Sequence, residues 1–294
     1  MLRIFAGVSV GIVAISFAAI FIRLCDDVPS LMIATYRLTI SSIVLVCIAK
    51  LRGFRLGSFT RRQLLLGMLG GLFLALHFWL WISSLKFTSV ASSVVLVTTN
   101  PIFVGLFSYL LFKERQSPEL ILGIFLSFSG SIILAIGDSG LGGLSVQNPS
   151  QLLGDTLALL GAIMVSGYLM VGSYLREKMD ILSYVSIVYS FSALLLLATS
   201  VCLEIPFTGY KASSYLYMAL LAVAPQLIGH TVINWALKHL KTSMVAITIL
   251  GEPIGASILA YLIFHETIGS FQAVGIVLIF LAIIIASRKG TKAV

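Results

Sequence analysis

Charge is scarce in this chain: Asp, Glu, Lys and Arg make up 10% of its 294 residues. Soluble domains carry about 25%, so this is not a soluble composition. Polar–apolar alternation over strands of about ten residues is missing, which excludes a membrane β-barrel. No G-x-x-x-x-G-K-[ST] occurs, which excludes P-loop ATP coupling. No zinc spacing and no convergent nucleophile–base set is present, which argues against a metal site and a membrane-embedded enzyme. Gly7-Val8-Ser9-Val10-Gly11 has the G-x-S-x-G form, but that motif needs a strand-to-helix turn, and here it opens an apolar helix. The three cysteines, Cys25, Cys47 and Cys202, make no framework. A Cys25–Cys202 bridge is topologically allowed, with free thiols the favoured reading.

What is present is long apolar sequence. A helix needs about 20 apolar residues to cross a bilayer. Ten stretches qualify: Ile4–Leu24, Leu31–Ala49, Gln63–Leu85, Val90–Phe112, Glu119–Gly137, Leu152–Leu175, Ile181–Leu203, Ser214–Leu237, Met244–Phe264 and Phe271–Ser287. They leave no room for a soluble domain. The first is read as a retained helix rather than a cleaved signal peptide, because its apolar run exceeds the usual h-region.

Basic residues fall on alternate connections. Arg3, the Lys50–Arg62 run with Arg55, Lys113, Arg115, Arg176, Lys178, Lys238, Lys241, Arg288, Lys289 and Lys292 share one side, while Lys86 and Lys211 lie on the other. The positive-inside rule then puts both termini in the cytoplasm. It also accounts for the net charge of +8 without nucleic acid.

The chain repeats itself. Leu85–Phe128 overlays Leu237–Phe280 without a gap, pairing Pro101 with Pro253, Tyr109 with Tyr261, Glu114 with Glu266 and Gly123 with Gly275. The connection Asp138–Gln151 divides the sequence into five-helix halves, residues 1–140 and 152–290. Five is odd, so the second half enters the membrane from the opposite side, an inverted repeat of the kind transporters use. The fold expected is thus an all-α membrane protein of ten transmembrane helices in two inverted five-helix repeats. Glycines four apart (Gly7/Gly11, Gly67/Gly71, Gly251/Gly255) predict close helix crossings.

Polar residues inside the membrane are costly and mark candidate pathways. Glu252 lies near mid-bilayer, about 12 Å from the cytoplasmic end at the helical rise. An ionised carboxylate there needs a cation or a proton. It precedes Pro253, which breaks the helix; a structural hydrogen bond to a neighbouring helix is the alternative reading. Asn100-Pro101 occupies the repeat-related position. Arg37 is placed to meet Glu252 or a substrate carboxylate, or else to reach outer water. Gln226, His230 and Asn234 stand at four-residue steps, a stripe on one helix face behind Pro225. They line a cavity or join helices by hydrogen bonds. His77 and Trp81 share a face and offer an aromatic wall; Tyr36, Tyr168 and Tyr189 are further candidates.

These features together resemble the EamA-domain family of the drug/metabolite transporter superfamily. Each half ends with a mid-helix Pro, an aromatic-rich stretch, a Glu and a Gly: Pro101, Glu114 and Gly123, then Pro253, Glu266 and Gly275. Glu252-Pro253 resembles the Glu-Pro of that family's second copy. Ser16–Arg23 and Ala34–Leu38 are similar to the opening of its first copy. Ser166-Gly167-Tyr168 departs from the family, where a tryptophan is expected. The resemblance implies a secondary transporter that exports small metabolites such as amino acids by alternating access. It would sit in the cytoplasmic (inner) membrane and use no cofactor or metal. Its partners would be a small-molecule substrate and the lipid bilayer, with protons the candidate coupling ion and a homodimer a candidate assembly. An uptake permease or facilitator, and a receptor or scaffold without flux, are the alternatives.

Overall fold

The computed structural model describes residues 2–53, 59–88, 93, 96–113, 115–139, 149–265 and 269–287. Glu114, Glu266, Arg55, Arg288, Lys289, Lys292 and positions 140–148 of the long connection lie outside them. The helices in order are α1 (Leu2–Leu24), α2 (Ser30–Leu51), α3 (Arg61–Ser84), α4 (Asn100–Phe112), α5 (Pro118–Ser139), α6 (Pro149–Arg176) and α7 (Ile181–Cys202). Then come α8 (Ala212–Leu221), a π-helical segment (Ala222–His230), α9 (Thr231–Ala236), α10 (Thr242–Ile249), α11 (Gly251–Phe264) and α12 (Ser270–Ser287).

Among the described residues, seven helical spans are long and apolar enough to cross a membrane. Two of these are composite: α8 through α9, and α10 with α11. Three shorter apolar helices, Asn100–Leu111, Pro118–Gly130 and Ala273–Ala286, accompany them. The chain is therefore a multi-pass, all-helical membrane protein. Helix is the natural state of such sequence, because hydrocarbon offers the backbone no partner and each amide must bond within its own segment. Large apolar side chains such as Leu111, Phe125, Leu194, Leu262 and Phe280 stand exposed on the outside of the bundle, where acyl chains would cover them.

Local sequence sets the ends. Thr60 and Gln63 form a reciprocal capping box on α3, and Asp180 accepts from Ser183 N at 3.0 Å on α7. Lys113 after α4 and His265 after α11 both adopt the left-handed conformation, at φ 57° and 56°. They are register-matched positions of the sequence repeat, and they close their helices in the same way.

Helix α3 packs on α6 and α7, α2 on α7, and α1 on the π segment and α11, while α5 and α12 pack on each other. Small residues make the contacts tight. A Cβ on Gly71 would lie 2.8 Å from the Val188 carbonyl, and one on Gly255 would lie 2.1 Å from Ser16 Oγ. At Gly130 the distance to the Gly275 carbonyl would be 2.9 Å.

At one end of the bundle the α1–α2 turn is tied to the α7–α8 loop. Lys211 Nζ donates to both Asp26 oxygens at 2.9 Å. Asp27 accepts from Lys211 N and from Ser214 Oγ, each at 2.6 Å, so it fastens the start of α8 from a distant part of the chain. These bonds hold both carboxyls below their ordinary value, with Lys211 the main cause for Asp26 and Ser214 for Asp27. Cys25 is buried beside this tie, its thiol 3.7 Å from the Ser214 carbonyl, and Cys25 and Cys202 are unbridged.

Candidate functional site

A cavity with an empty volume of about 790 Å³, counted out to its open mouth, lies where α1, α2, α3, α4, α6 and the broken spans converge. Two helix interruptions shape it. The first is at Leu250: α10 ends at Ile249, α11 starts at Gly251, and Pro253 lies in the first turn of α11. A proline has no N–H to give to the preceding turn, so the break falls where sequence puts it. Pro101 sits in the first turn of α4 in the same way, after a turn at Thr98 and Thr99. The second interruption is the π segment, which contains Pro225. Ser41 Oγ, on α2, donates to the Ala222 carbonyl at 3.1 Å and so pins the start of that segment.

The cavity brings together Arg37, His77, Trp81, Asn100, His230 and Glu252, with Pro253 beside them. Arg37 is 1% exposed. Its Nε donates to Gln226 Oε1 at 2.8 Å, and its Cζ lies 3.9 Å from the centre of the Phe78 ring. No ion pair joins it to Glu252: the two line the same space without direct contact. Ser16 Oγ, on α1, lies 3.3 Å from the Glu252 carbonyl and ties the broken span to α1.

The aromatic wall is ordered. His77 and Trp81 rings are parallel within 6°, at 6.0 Å. His77 Nδ1 lies 2.9 Å from the Gly161 carbonyl, which requires the proton on that nitrogen and leaves Nε2 as the acceptor of a neutral ring. Phe78 meets His230 edge-on at 5.1 Å, and Tyr168 closes the wall 6.5 Å from His230. Ile15, Ala18 and Ala19 of α1 supply an apolar side.

Four sequence candidates do not line this space; one of them, Tyr189, is fully buried and accepts from Asn234 Nδ2 at 3.4 Å. Tyr36 points to the tied end, where its hydroxyl donates to the Phe207 carbonyl at 2.8 Å and its ring packs on Tyr215. Neighbours on a helix point in different directions, so proximity to Arg37 does not share its cavity. Gln226 and Asn234 are fully buried behind the lining. Gln226 holds Arg37, while Asn234 Nδ2 donates to the Tyr168 hydroxyl and to the His230 carbonyl, the latter at 2.7 Å. The stripe expected from four-residue steps assumes α-helical winding. Gln226 and His230 lie in the π segment and Asn234 in α9, and the three side chains reach different neighbours. Phe78 was not among the sequence candidates. Its spacing of three from Trp81 on one helix is the feature that marks it.

Among the described residues no cluster of His, Cys, Asp or Glu could hold a metal.

The sequence matches the EamA-like transporter family over residues 3–136 and again over residues 152–288. The chain belongs to that family. An uncharacterised transporter of Archaeoglobus fulgidus is 22% identical over 210 residues, 70% of each chain. An uncharacterised transporter of Clostridium kluyveri is 26% identical over 214 residues, 71% of this chain and 67% of its own. A thiamine-repressible mitochondrial transport protein of Saccharomyces cerevisiae is 27% identical over 220 residues, covering 72% of this chain and 59% of the yeast protein. A crystal structure at 19% identity superposes with a TM-score of 0.82, covering 98% of this chain and 97% of that one, and so shares the fold. The EamA-like chain is thus a membrane transporter by family. Its cavity is lined by residues of the membrane-spanning helices.

Proposed function

We propose that this EamA-like chain is a secondary active transporter that exports small metabolites such as amino acids across the cytoplasmic membrane. The observation that carries the reading is one cavity built from both halves of the sequence, with Glu252 beside a broken helix. Two inverted five-helix repeats, residues 1–140 and 152–290, alternate access to it. The two separate family matches support this, as does the packing: α3 on α6 corresponds, under exchange of the halves, to α1 on the π-interrupted span. Both termini are cytoplasmic, so the Asp26–Lys211 tie joins the halves at the outer face. Arg37, His77, Trp81, Asn100 and His230 form the substrate pathway with Glu252, and Pro101 and Pro253 permit the bends. Protons are the coupling ion, taken up and released at Glu252, a carboxylate in a poorly hydrated site with no cation bound to it directly.

The test is solute flux in proteoliposomes under an imposed pH gradient, using labelled amino acids, nucleobases and organic cations. Saturable flux of one class, driven by the gradient and uncoupled in Glu252→Gln, is the expected result. Flux indifferent to the gradient would make the protein a facilitator and Glu252 structural. Binding without flux would make it a receptor.

A further inference from the structure

We infer that the Arg37 end of the cavity is a subsite for a compact oxyanion, a carboxylate on the transported solute, with Gln226 and Phe78 as the residues that position the guanidinium. The identity of the occupant as cargo rests on the transporter reading above; the binding chemistry does not.

The argument starts from donors that have nothing to donate to. Arg37 Nη1, Trp81 Nε1 and Asn100 Nδ2 are buried and lack any hydrogen-bond partner. Their residues are 1%, 5% and 2% exposed, and all three line the cavity. None of these atoms can accept: guanidinium, indole and amide N–H groups only donate. An unpaired buried donor is costly, and an unpaired buried charge more so. A solute that offers hydrogen-bond acceptors and one negative charge relieves the cost at Arg37, and those at Trp81 and Asn100 where its acceptors reach them. A carboxylate has two oxygens and about four lone-pair sites, and it takes a guanidinium in a two-bond fork.

The guanidinium is also prepared. Gln226 accepts its Nε–H at 2.8 Å and brings no charge of its own. The Phe78 ring supports the plane from one side, 3.9 Å from Cζ. The head group is thus fixed in place while its charge stays uncompensated by direct contact. A glutamate in place of Gln226 would hold the same geometry and cancel that charge. The choice of amide over acid is what leaves the site open to an anion. Among these three groups an amine finds only donors; the carboxylate in the cavity is Glu252. The remaining wall, with Trp81, Phe78, Tyr168 and Ile15, suits an apolar body behind the acidic group.

The test uses the full-length protein in lipid nanodiscs and measures equilibrium binding by quenching of tryptophan fluorescence, with calorimetry as a second readout. The probes are 3-phenylpropionate, its primary amide, phenethylamine and phenyl phosphate. Charge-assisted bonds contribute about 1.5–3 kcal/mol net, so the acid should bind about ten- to a hundredfold tighter than the amide. Gln226→Glu should reduce that ratio to near parity while leaving thermal unfolding unchanged or raised. Should Gln226→Glu fail to fold, Phe78→Leu serves in its place and should lower the same ratio.

Three results would overturn the inference: an amide or amine that binds as tightly as the acid, an acid preference untouched in the variants, or no binding by either acidic probe. Phenyl phosphate outcompeting 3-phenylpropionate would support the oxyanion subsite and name phosphate as its group. Acid-selective binding in a protein that shows no flux would defeat the transporter reading and leave the subsite standing.

Discussion

The crossing of α1 over the π segment gives the sharpest mechanical prediction. A Cβ on Gly229 would lie 2.3 Å from Ile15 Cγ2, 3.2 Å from Ile15 N and 3.3 Å from the Gly11 carbonyl. Carbon atoms pack best at about 3.5–4.0 Å. A new Ile15 rotamer relieves only the first contact, because the other two are backbone; α1 must also back away. Overpacking of this kind costs about 1–3 kcal/mol. Replacing a helical glycine by alanine returns up to about 1 kcal/mol. The net loss for Gly229→Ala is on the order of 1–2 kcal/mol, or a fall of about 2–8 °C in unfolding temperature for a chain this long. Gly105→Ala is the control, since its nearest neighbour, Ile124 Cδ1, would be an ordinary 3.6 Å away. It should match or exceed the parent. Ile15 is part of the cavity wall, so Gly229→Ala should also change the affinity for 3-phenylpropionate, and Gly105→Ala should not. Thermal unfolding in nanodiscs and the fluorescence titration read both. Equal or greater stability of Gly229→Ala relative to Gly105→Ala would refute the packing argument.

Two further outcomes follow from the tied end. Tyr36→Phe removes one hydrogen bond to the Phe207 carbonyl, worth on the order of 1 kcal/mol. It should lower the unfolding temperature slightly and leave 3-phenylpropionate affinity unaltered; an altered affinity would return Tyr36 to the pathway. The Asp26 and Asp27 carboxyls are lowered and the Lys211 ammonium is raised. The carboxylate contribution is complete above their unfolded value and lost as pH falls through the lowered one; the ammonium contribution is complete below its unfolded value and lost as pH rises through the raised one. The difference in unfolding temperature between the parent and Lys211→Met should therefore stay flat from about pH 5 to pH 9 and close only below about pH 4 or above about pH 10. A difference that vanishes between about pH 5 and pH 7 would show that other groups govern this end.

The helices could be read from the sequence because long apolar runs have one low-energy form in hydrocarbon. The break at Leu250 could be read from Pro253, because a missing N–H acts locally. The convergence of Arg37, His77, Trp81, Asn100, His230 and Glu252 followed from the cost of burying polar groups, which applies wherever the partner lies. What escaped the sequence was rotation. Which neighbours Gln226, His230 and Asn234 meet is set by how the interrupted span packs, and nothing local announces nine π-helical residues. Ser41 of α2, distant in sequence, bonds the Ala222 carbonyl where that segment starts. Tyr36 and Phe78 have the same origin: each is adjacent to a cavity-lining residue, and only the orientation of its helix in the bundle decides that Phe78 faces inward and Tyr36 does not.

Arg37 has one more consequence. A guanidinium held without an ionic partner inside a low-dielectric slab is a charge in the transmembrane field. Each elementary charge carried across the full field changes in energy by about 2.3 kcal/mol per 100 mV. A displacement of α2 by a tenth of the membrane's thickness would thus shift the equilibrium between its end states by about 0.2 kcal/mol per 100 mV. A bound anion travelling with Arg37 would cancel that sensitivity, whereas the empty protein would retain it. With an anion bound at Arg37, the occupancy of the cavity would be coupled to the membrane voltage.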